Sequence, residues 1–283
     1  MEKYSELLHD HLLETANFKD NGESTFEKGL YGYLREDYEI KTIALSKKYK
    51  KPIGRYSLLT LKHVLLDNET ADNYYLKKLT NTLKSHLPKI TKDSCVLVVG
   101  LGNRHISSDS LGTEVVKNII VTRNLSADVP QVCAIAPGVL GLTGIESADI
   151  INGVVDKVKP DLIIMIDSLC ASHVSRLGVS FQISNTPITP GSGINNTRKK
   201  IKNNVPTISI GVPLVVYANT FIKSAISDCD IQISKVKDKN LKDKLNCLIN
   251  NQYNELVTLS EIEYAVRKIG RMIATSINLM TKI

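Results

Sequence analysis

The sequence VLVVGLGN (Val96–Asn103) joins a short run of aliphatic residues to a glycine turn. The sequence LIIMIDSL (Leu162–Leu169) contains a second such run, which is followed by an aspartate instead of a glycine. Continuous apolar runs of this length, flanked by helical patterns, are typical of parallel strands buried on both faces. Further runs near 131–136 and 206–212 alternate with helical segments. We therefore predict an α/β fold with a mostly parallel twisted sheet and helices on both faces.

Two aspartates follow these runs. Asp109 lies in a serine-rich turn after the first run, and Asp167 ends the apolar part of the second. Because catalytic groups of parallel sheets collect at the carboxyl ends of the strands, we expect the two side chains at one site. A carboxylate pair can share a proton and divide acid and base roles, which suits hydrolysis by an activated water. The alternatives are a helix N-cap for Asp109 and a structural carboxylate, bonded to backbone N–H groups, for Asp167.

The domain organisation follows from breaks in the pattern. A polar break near Ser24 separates residues 1–24, a segment that looks like a leader, from a single α/β domain over 25–283. Alternating residues within 38–62 predict a small antiparallel strand pair beside the main sheet. The core spans about 94–225, and helical patterns cover 236–280. The 283 residues include 42% hydrophobic and 23% charged residues, as in ordinary globular proteins.

Charge and cysteine usage limit the class of protein. The net charge of +7 comes from basic residues spread along the chain, so we expect a solvated surface and no direct nucleic-acid partner. Five cysteines without CxxC spacing indicate reduced thiols. Because no apolar signal segment or membrane-length run is present, we expect an intracellular protein without a membrane partner.

Glycine-rich turns supply candidate substrate contacts. The segment APGVLGLTGIE (Ala136–Glu146) and the segment PGSG (Pro190–Gly193) are turns whose N–H groups could hold an extended peptide or a developing oxyanion, or serve only as turns. The GLGN turn lacks the third glycine of a dinucleotide fingerprint, since His105 stands there, and no cofactor is expected. The candidate substrate-binding residues are Asn103, Gly138, Gly144, Glu146, Gly191 and Ser192. For Glu146, a first-turn helix charge and a third acidic group both remain open.

A series of segments in this order resembles the spore germination protease family. They are VVGLGN at Val98–Asn103, DSLG at Asp109–Gly112, VTR at Val121–Arg123, APGVLGLTGIE at Ala136–Glu146, IDSL at Ile166–Leu169, QIS at Gln182–Ser184, PGSG at Pro190–Gly193 and IGVP at Ile210–Pro213. The resemblance implies a core like that of hydrogenase-maturation proteases. It also implies an endopeptidase that degrades small acid-soluble spore proteins during germination. The family's two functional aspartates fall on Asp109 and Asp167.

The same resemblance carries expectations about assembly and location. It implies a homotetramer that is made as a zymogen in the cytoplasm of the developing spore and acts in the spore core. The chain departs from the family at Thr189, at Tyr217 and at Arg104-His105, and its leader lacks the segment that marks zymogen processing. A second hypothesis is therefore a catalytically weak or inactive paralogue that binds spore proteins or an active relative.

A metal-dependent peptidase is the third hypothesis. Distant relatives with the maturation-protease fold bind a metal through two acidic residues and a histidine, and His105 and His173 lie near the two aspartates in sequence. Neither histidine belongs to an HExxH motif or another metal-binding spacing, so we predict no metal. Ser168 and Cys170 adjoin Asp167 but lack a nucleophile-elbow signature.

Overall fold

The structure is a computed structural model that describes residues 24–49, 51–125, 128–187, 205–228, 238–250 and 255–281. Its strands are β1 (Thr25–Lys28), β2 (Tyr33–Ile40), β3 (Gly54–Leu61), β4 (Cys95–Gly100), β5 (Gln131–Ile135), β6 (Leu162–Ala171), β7 (Ser180–Ser184), β8 (Thr207–Tyr217) and β9 (Leu256–Thr258). Its helices are α1 (Ile43–Tyr49), α2 (Glu69–His86), α3 (Leu111–Lys117), α4 (Leu140–Thr143), α5 (Ser147–Val158), α6 (Ala218–Asp228), α7 (Lys239–Asn250) and α8 (Ile262–Met280).

All the described strands belong to one mixed sheet. Its order is β1-β2-β3-β7-β8-β6-β4-β5, and β9 pairs with β8. The strands β8, β6, β4 and β5 are mutually parallel, whereas β1, β2, β3, β7 and β9 pair with their neighbours in antiparallel fashion. The predicted α/β fold with a parallel core is confirmed.

The predicted N-terminal strand pair is β2 and β3, which pair from Tyr33↔Leu61 to Ile40↔Gly54. The alternating pattern continues past Ile40, but the strand does not. Helix α1 follows instead, because the Thr42 side chain accepts the Leu45 N–H at 3.2 Å and so starts a helical turn.

Helices cover both faces of the parallel strands, as predicted. On β6, Ile164 and Ile166 pack in the larger cluster with residues of α3 and α8. Ile163 and Met165 point to the opposite face and pack in a second cluster with residues of α5. This two-residue period follows from the strand geometry. Burying each such side chain stabilises the fold by about 1.5–3 kcal/mol.

Close packing of two glycines brings α3 onto the end of β4. A side chain on Gly100 would overlap the carbonyl oxygen of Gly112 in the first turn of α3. Because neither residue has a side chain, the backbones approach directly. The connection that carries Asp109 is thereby held at the carboxyl edge of the sheet.

Residues 1–23 of the predicted leader 1–24 lie outside the described ranges, so the leader and the boundary of the domain 25–283 stay predictions. Within the described ranges, none of the helices combines the length and apolar character needed to cross a membrane.

Candidate active site

Asp109 ends a 3₁₀ turn, Ser107–Asp109, between β4 and α3. This turn contacts β6 and β8. The Oδ2 atom of Asp109 accepts the backbone N–H of Asn103 at 2.8 Å. Gly102 has φ +106°, and a side chain there would overlap the Asp109 carbonyl oxygen. A glycine at 102 is therefore required for the loop to close around Asp109.

The environment of Asp109 favours its protonated form. Burial raises the pKa of the Asp109 carboxyl, and the Asn103 N–H opposes this shift only in part. The alternative of a helix cap does not fit, because Ser110 occupies the N-cap position of α3 and no side chain caps that helix. Asp109 is thus a half-buried carboxyl group that partial burial has made a weaker acid.

Asp167 lies within β6, which continues to Ala171, so it does not end the strand as the apolar run indicates. It comes directly after the last β4 pairing, because Ile166 is paired with Gly100. Its Oδ1 atom accepts the Ser168 N–H at 2.9 Å. The side chain is half-buried. Asp167 therefore stands where the β4–β6 pairing ends, while β6 stays paired with β8 on its other side.

The segments that carry the two aspartates meet at the carboxyl end of β4. The Leu101 N–H donates to the Ile166 carbonyl at 2.8 Å, directly beside Asp167. The next residue, Gly102, packs against the backbone of Asp109. The consecutive residues Leu101 and Gly102 thus contact the backbone next to Asp167 and the backbone of Asp109, respectively. Such a meeting of segments is expected at the carboxyl edge of a parallel sheet.

Asn103 supports this loop through both its backbone and its side chain. Its N–H binds Asp109, and its Oδ1 atom accepts the His105 N–H at 2.9 Å. The side chain therefore stabilises the turn that encloses Asp109. A substrate contact by Asn103 stays a prediction.

The other predicted contacts lie in the loop after β5. Gly138 and Gly144 have φ +76° and +70°, and the Gly138 carbonyl accepts the Ser147 hydroxyl at 2.7 Å. Glu146 is the N-cap residue of α5 but makes no side-chain cap, so both interpretations of its carboxylate remain. Exposed apolar side chains accompany these residues at Leu140, Leu142 and Ile145.

Gly191 and Ser192 lie in the segment 188–204, outside the described residues. Ser184 before this segment is paired with Ser209, and Thr207 after it with Ile163. Of the two flanking strands, β8 pairs with the amino-terminal half of β6 at this point, and β7 pairs with β8. The substrate-binding roles of Gly191 and Ser192 stay predictions.

The two histidines near the aspartates in sequence have other partners. The Nδ1 atom of His173 lies 2.8 Å from the Ser175 hydroxyl, and its Nε2 atom lies 3.6 Å from the Asp228 carboxylate. The His105 ring lies 3.2 Å from the Arg104 guanidinium nitrogen. Within the part of the chain that the structure describes, no three His, Cys, Asp or Glu side chains are grouped as metal ligands.

Two groups that position the aspartates were not identified as such from the sequence. Gly102 shapes the loop through its positive φ, and a glycine directly after a strand is a detectable signal. The Ser168 N–H holds Asp167, but a backbone donor is present at every non-proline residue and leaves no mark in the sequence.

The sequence model of the family described as "Germination protease" matches residues 33–244. The chain belongs to the germination protease family. It is similar to the germination protease of Caldanaerobacter subterraneus, with 38% identity, 91% of this chain and 87% of the relative being covered. For the germination protease of Clostridium acetobutylicum the identity is 36%, with 86% and 85% covered.

Membership in the germination protease family makes the chain a peptidase of spore germination. Among solved structures, the chain matches the [NiFe] hydrogenase maturation protease HycI of Thermococcus kodakarensis with a TM-score of 0.37 and 15% identity. That match covers 71% of this chain and 99% of the other.

Proposed function

We propose that this germination protease family member is an endopeptidase that degrades small acid-soluble spore proteins, using Asp109 and Asp167 to activate water. The observation that carries the proposal is the arrangement at the end of β4. Asp109 is half-buried there in a turn that contacts β6 and packs against Gly102, and the adjacent Leu101 bonds to the residue before Asp167. A carboxyl group that burial has made a weaker acid, near a second carboxyl group, can divide the acid and base roles of amide hydrolysis.

The surroundings of each aspartate suggest its role. Burial raises the pKa of Asp109, so this group keeps its proton to higher pH and can donate it to the scissile amide. Asp167 accepts a backbone N–H at its Oδ1 atom, an interaction available to an ionised carboxylate. In the proposed mechanism Asp167 takes a proton from water while Asp109 polarises the amide carbonyl and later protonates the leaving nitrogen.

The remaining expectations complete this proposal. The net charge of +7 attracts an acidic to neutral, unfolded protein substrate and speeds the encounter. We propose further a homotetramer, synthesis as a zymogen and action in the spore core. Light scattering at micromolar concentration tests the assembly, and a monomer would contradict it. Mass spectrometry of the protein from spores tests removal of a leader.

The test of the function is digestion of a purified acid-soluble spore protein by the purified chain. We expect discrete internal cuts by the wild type and by Asp156→Asn, which changes an exposed carboxylate on α5. The variant Asp167→Asn should not cut. Intact substrate with the wild type would contradict the proposal, and binding without cleavage would support the inactive-paralogue hypothesis.

A further inference from the structure

One flank of β6 has no strand beside it at the candidate active site, within the residues that the structure describes. The β4–β6 ladder ends at Gly100 and Ile166, and the Leu101 N–H adds one last bond to the Ile166 carbonyl. β6 continues to Ala171, and on its other flank it stays paired with β8 along this length. We call the projecting part, Asp167–Ala171, the β6 ledge.

The main-chain groups of the ledge have defined directions. In a parallel ladder, successive residues turn their N–H and C=O groups to opposite flanks. The Ile163 N–H donates to Pro206 on the β8 side, and the Ile166 carbonyl accepts from Leu101 on the β4 side. Ser168 is the next residue to face the β4 side. Its N–H donates to the Asp167 side chain, and no β4 residue is paired with it, because the β4–β6 ladder ends at Ile166.

The open flank results from the conformation of Gly102. At φ +106° this residue takes the chain out of the line of β4 and into the loop that contains Asp109. The Ser107–Asp109 turn then contacts both β6 and β8. Because a turn touching two adjacent strands lies over the face of the sheet, it leaves the flank of β6 to another chain. Within the described residues, no strand is paired with β6 on its β4 side beyond Ile166.

We propose that the β6 ledge binds the main chain of the peptide substrate as an added strand, with the Ser168 carbonyl accepting a substrate N–H. The inference rests on the proposed function and specifies its substrate as a polypeptide that is extended at the cut. Strand addition to a free sheet edge is a common mode of peptide recognition. Paired strands lie about 4.8 Å apart, which brings a substrate peptide bond within reach of the Asp167 side chain.

This binding mode explains how one site selects unfolded chains. The interior of a helix has its backbone N–H groups already paired along the helix, so it cannot offer one to Ser168. Main-chain pairing also tolerates many side chains, and specificity then comes from side-chain contacts elsewhere. The exposed apolar residues Leu140, Leu142 and Ile145, on the loop after β5, are available for such contacts.

The test uses a short synthetic peptide that covers a cut site in the spore protein, located by mass spectrometry of the digest. In each member of a series, an ester replaces one backbone amide and so removes a single N–H. We expect one ester outside the scissile bond to lower kcat/KM by about three- to tenfold, the effect of one hydrogen bond. Esters at the two adjacent positions are the matched controls, because their N–H groups face away from β6.

The possible outcomes separate the ledge from the proposed function. If no ester outside the scissile bond alters kcat/KM, or if adjacent positions respond equally, strand pairing is overturned. If the wild type cuts no spore protein, the proposed function fails, and peptides tiling that protein are titrated by fluorescence anisotropy. If one ester peptide then binds more weakly, while the esters at the two adjacent positions bind normally, strand pairing at the β6 ledge is still supported. Uniform affinity across the series, or no binding of any tile, contradicts it.

Discussion

Asp37, in the antiparallel part of the sheet (β1, β2, β3 and β7), and Asp109, in the turn beside the parallel part (β8, β6, β4 and β5), are both half-buried carboxyl groups, but their partners differ. Asp37 on β2 accepts the Arg35 guanidinium at 2.9 Å, the Thr25 hydroxyl at 3.3 Å and the Ser57 hydroxyl. Among the described residues, the side chain of Asp109 accepts one hydrogen bond, from the Asn103 N–H, and its pKa is raised. A carboxylate bonded to a cation and two hydroxyls links neighbouring strands, whereas a partly buried one with few donors has a raised pKa and is a candidate for proton transfer.

The antiparallel part of the sheet also shows that residue types alone do not make a catalytic site. The Ser57 hydroxyl lies 2.8 Å from His86 Nε2 and contacts Asp37, so serine, histidine and aspartate form one network. However, the serine stands between the other two, and both Ser57 and His86 are buried. In a hydrolase triad the histidine is central and the serine reaches the substrate. This network therefore stabilises the packing of α2 on the sheet.

Neutralising Asp109 or Asp167 should have the largest effect, which is on the cleavage rate. Asp109→Asn and Asp167→Asn should each lower the cleavage rate by about 10²- to 10⁴-fold, because each removes a proton-transfer group. The double variant should lose little more than either single variant, since the two groups act as a unit. Steady-state rates on an acid-soluble spore protein measure this. Additive losses would show that the two carboxyl groups act independently.

The Asp109→Asn variant also tests whether Asp109, unlike Asp37, contributes little to the stability of the fold. A carboxyl group with a raised pKa binds more protons in the folded state, so its contribution to stability falls as pH rises through that pKa. At neutral pH, Asn removes this cost and still accepts the Asn103 N–H. We expect an equal or higher Tm for Asp109→Asn, whereas Asp37→Asn should lower the Tm. A large loss of Tm in Asp109→Asn would assign Asp109 a structural role.

Changing the glycine that encloses Asp109 has the next largest effect. Gly102→Ala combines a positive φ with an overlap on the Asp109 carbonyl oxygen, and Gly144→Ala has a positive φ with open space around it. Backbone strain alone costs about 1–2 kcal/mol. We expect chemical unfolding to show that cost for Gly144→Ala and a larger one for Gly102→Ala. Equal losses would contradict the close approach.

Acidification should lower the free energy of unfolding, because His86 is buried against the antiparallel strands and resists protonation. Burial, followed by the charge of Arg55, lowers the pKa of His86 to about 4. Because the unfolded chain binds this proton more readily, stability is fully present above pH 6.5 and falls as the pH drops toward 4. The loss is on the order of 3 kcal/mol.

The variant His86→Gln isolates this contribution. It should flatten the pH dependence of the free energy of unfolding between those values, because glutamine does not titrate and can still bond to Ser57. The variant His63→Gln changes an exposed histidine and should leave the dependence as in the wild type. An unchanged slope in His86→Gln would show that another group causes the acid lability.

Removing metal ions has the smallest expected effect. If Asp109 and Asp167 act as acid and base, incubation with a strong chelator should leave the cleavage rate unchanged. The control is the same enzyme dialysed without chelator. A rate that falls and is restored by a divalent cation would favour the metal-dependent hypothesis and make the two carboxylates ligands.

The sequence by itself determined the parallel core and the residues offered for chemistry. Apolar runs such as Val96–Val99 can be buried only from both faces, and this fixes strands flanked by helices whatever their order. The ordered segments from Val98 to Pro213 also indicated the family. Local alternation predicted the pairing of β2 with β3, since neighbouring strands in sequence commonly form hairpins.

Only the tertiary structure decided how those residues meet. The extension of β6 beyond β4, the helix at Ile43–Tyr49 and the network around Ser57 all depend on contacts between distant segments. The state of Asp109 is the clearest case, because its pKa depends on burial beneath a loop that closes only where Gly102 adopts a positive φ. Local sequence encodes the periodicity of single elements, whereas burial and hydrogen-bond partners arise from how those elements pack together.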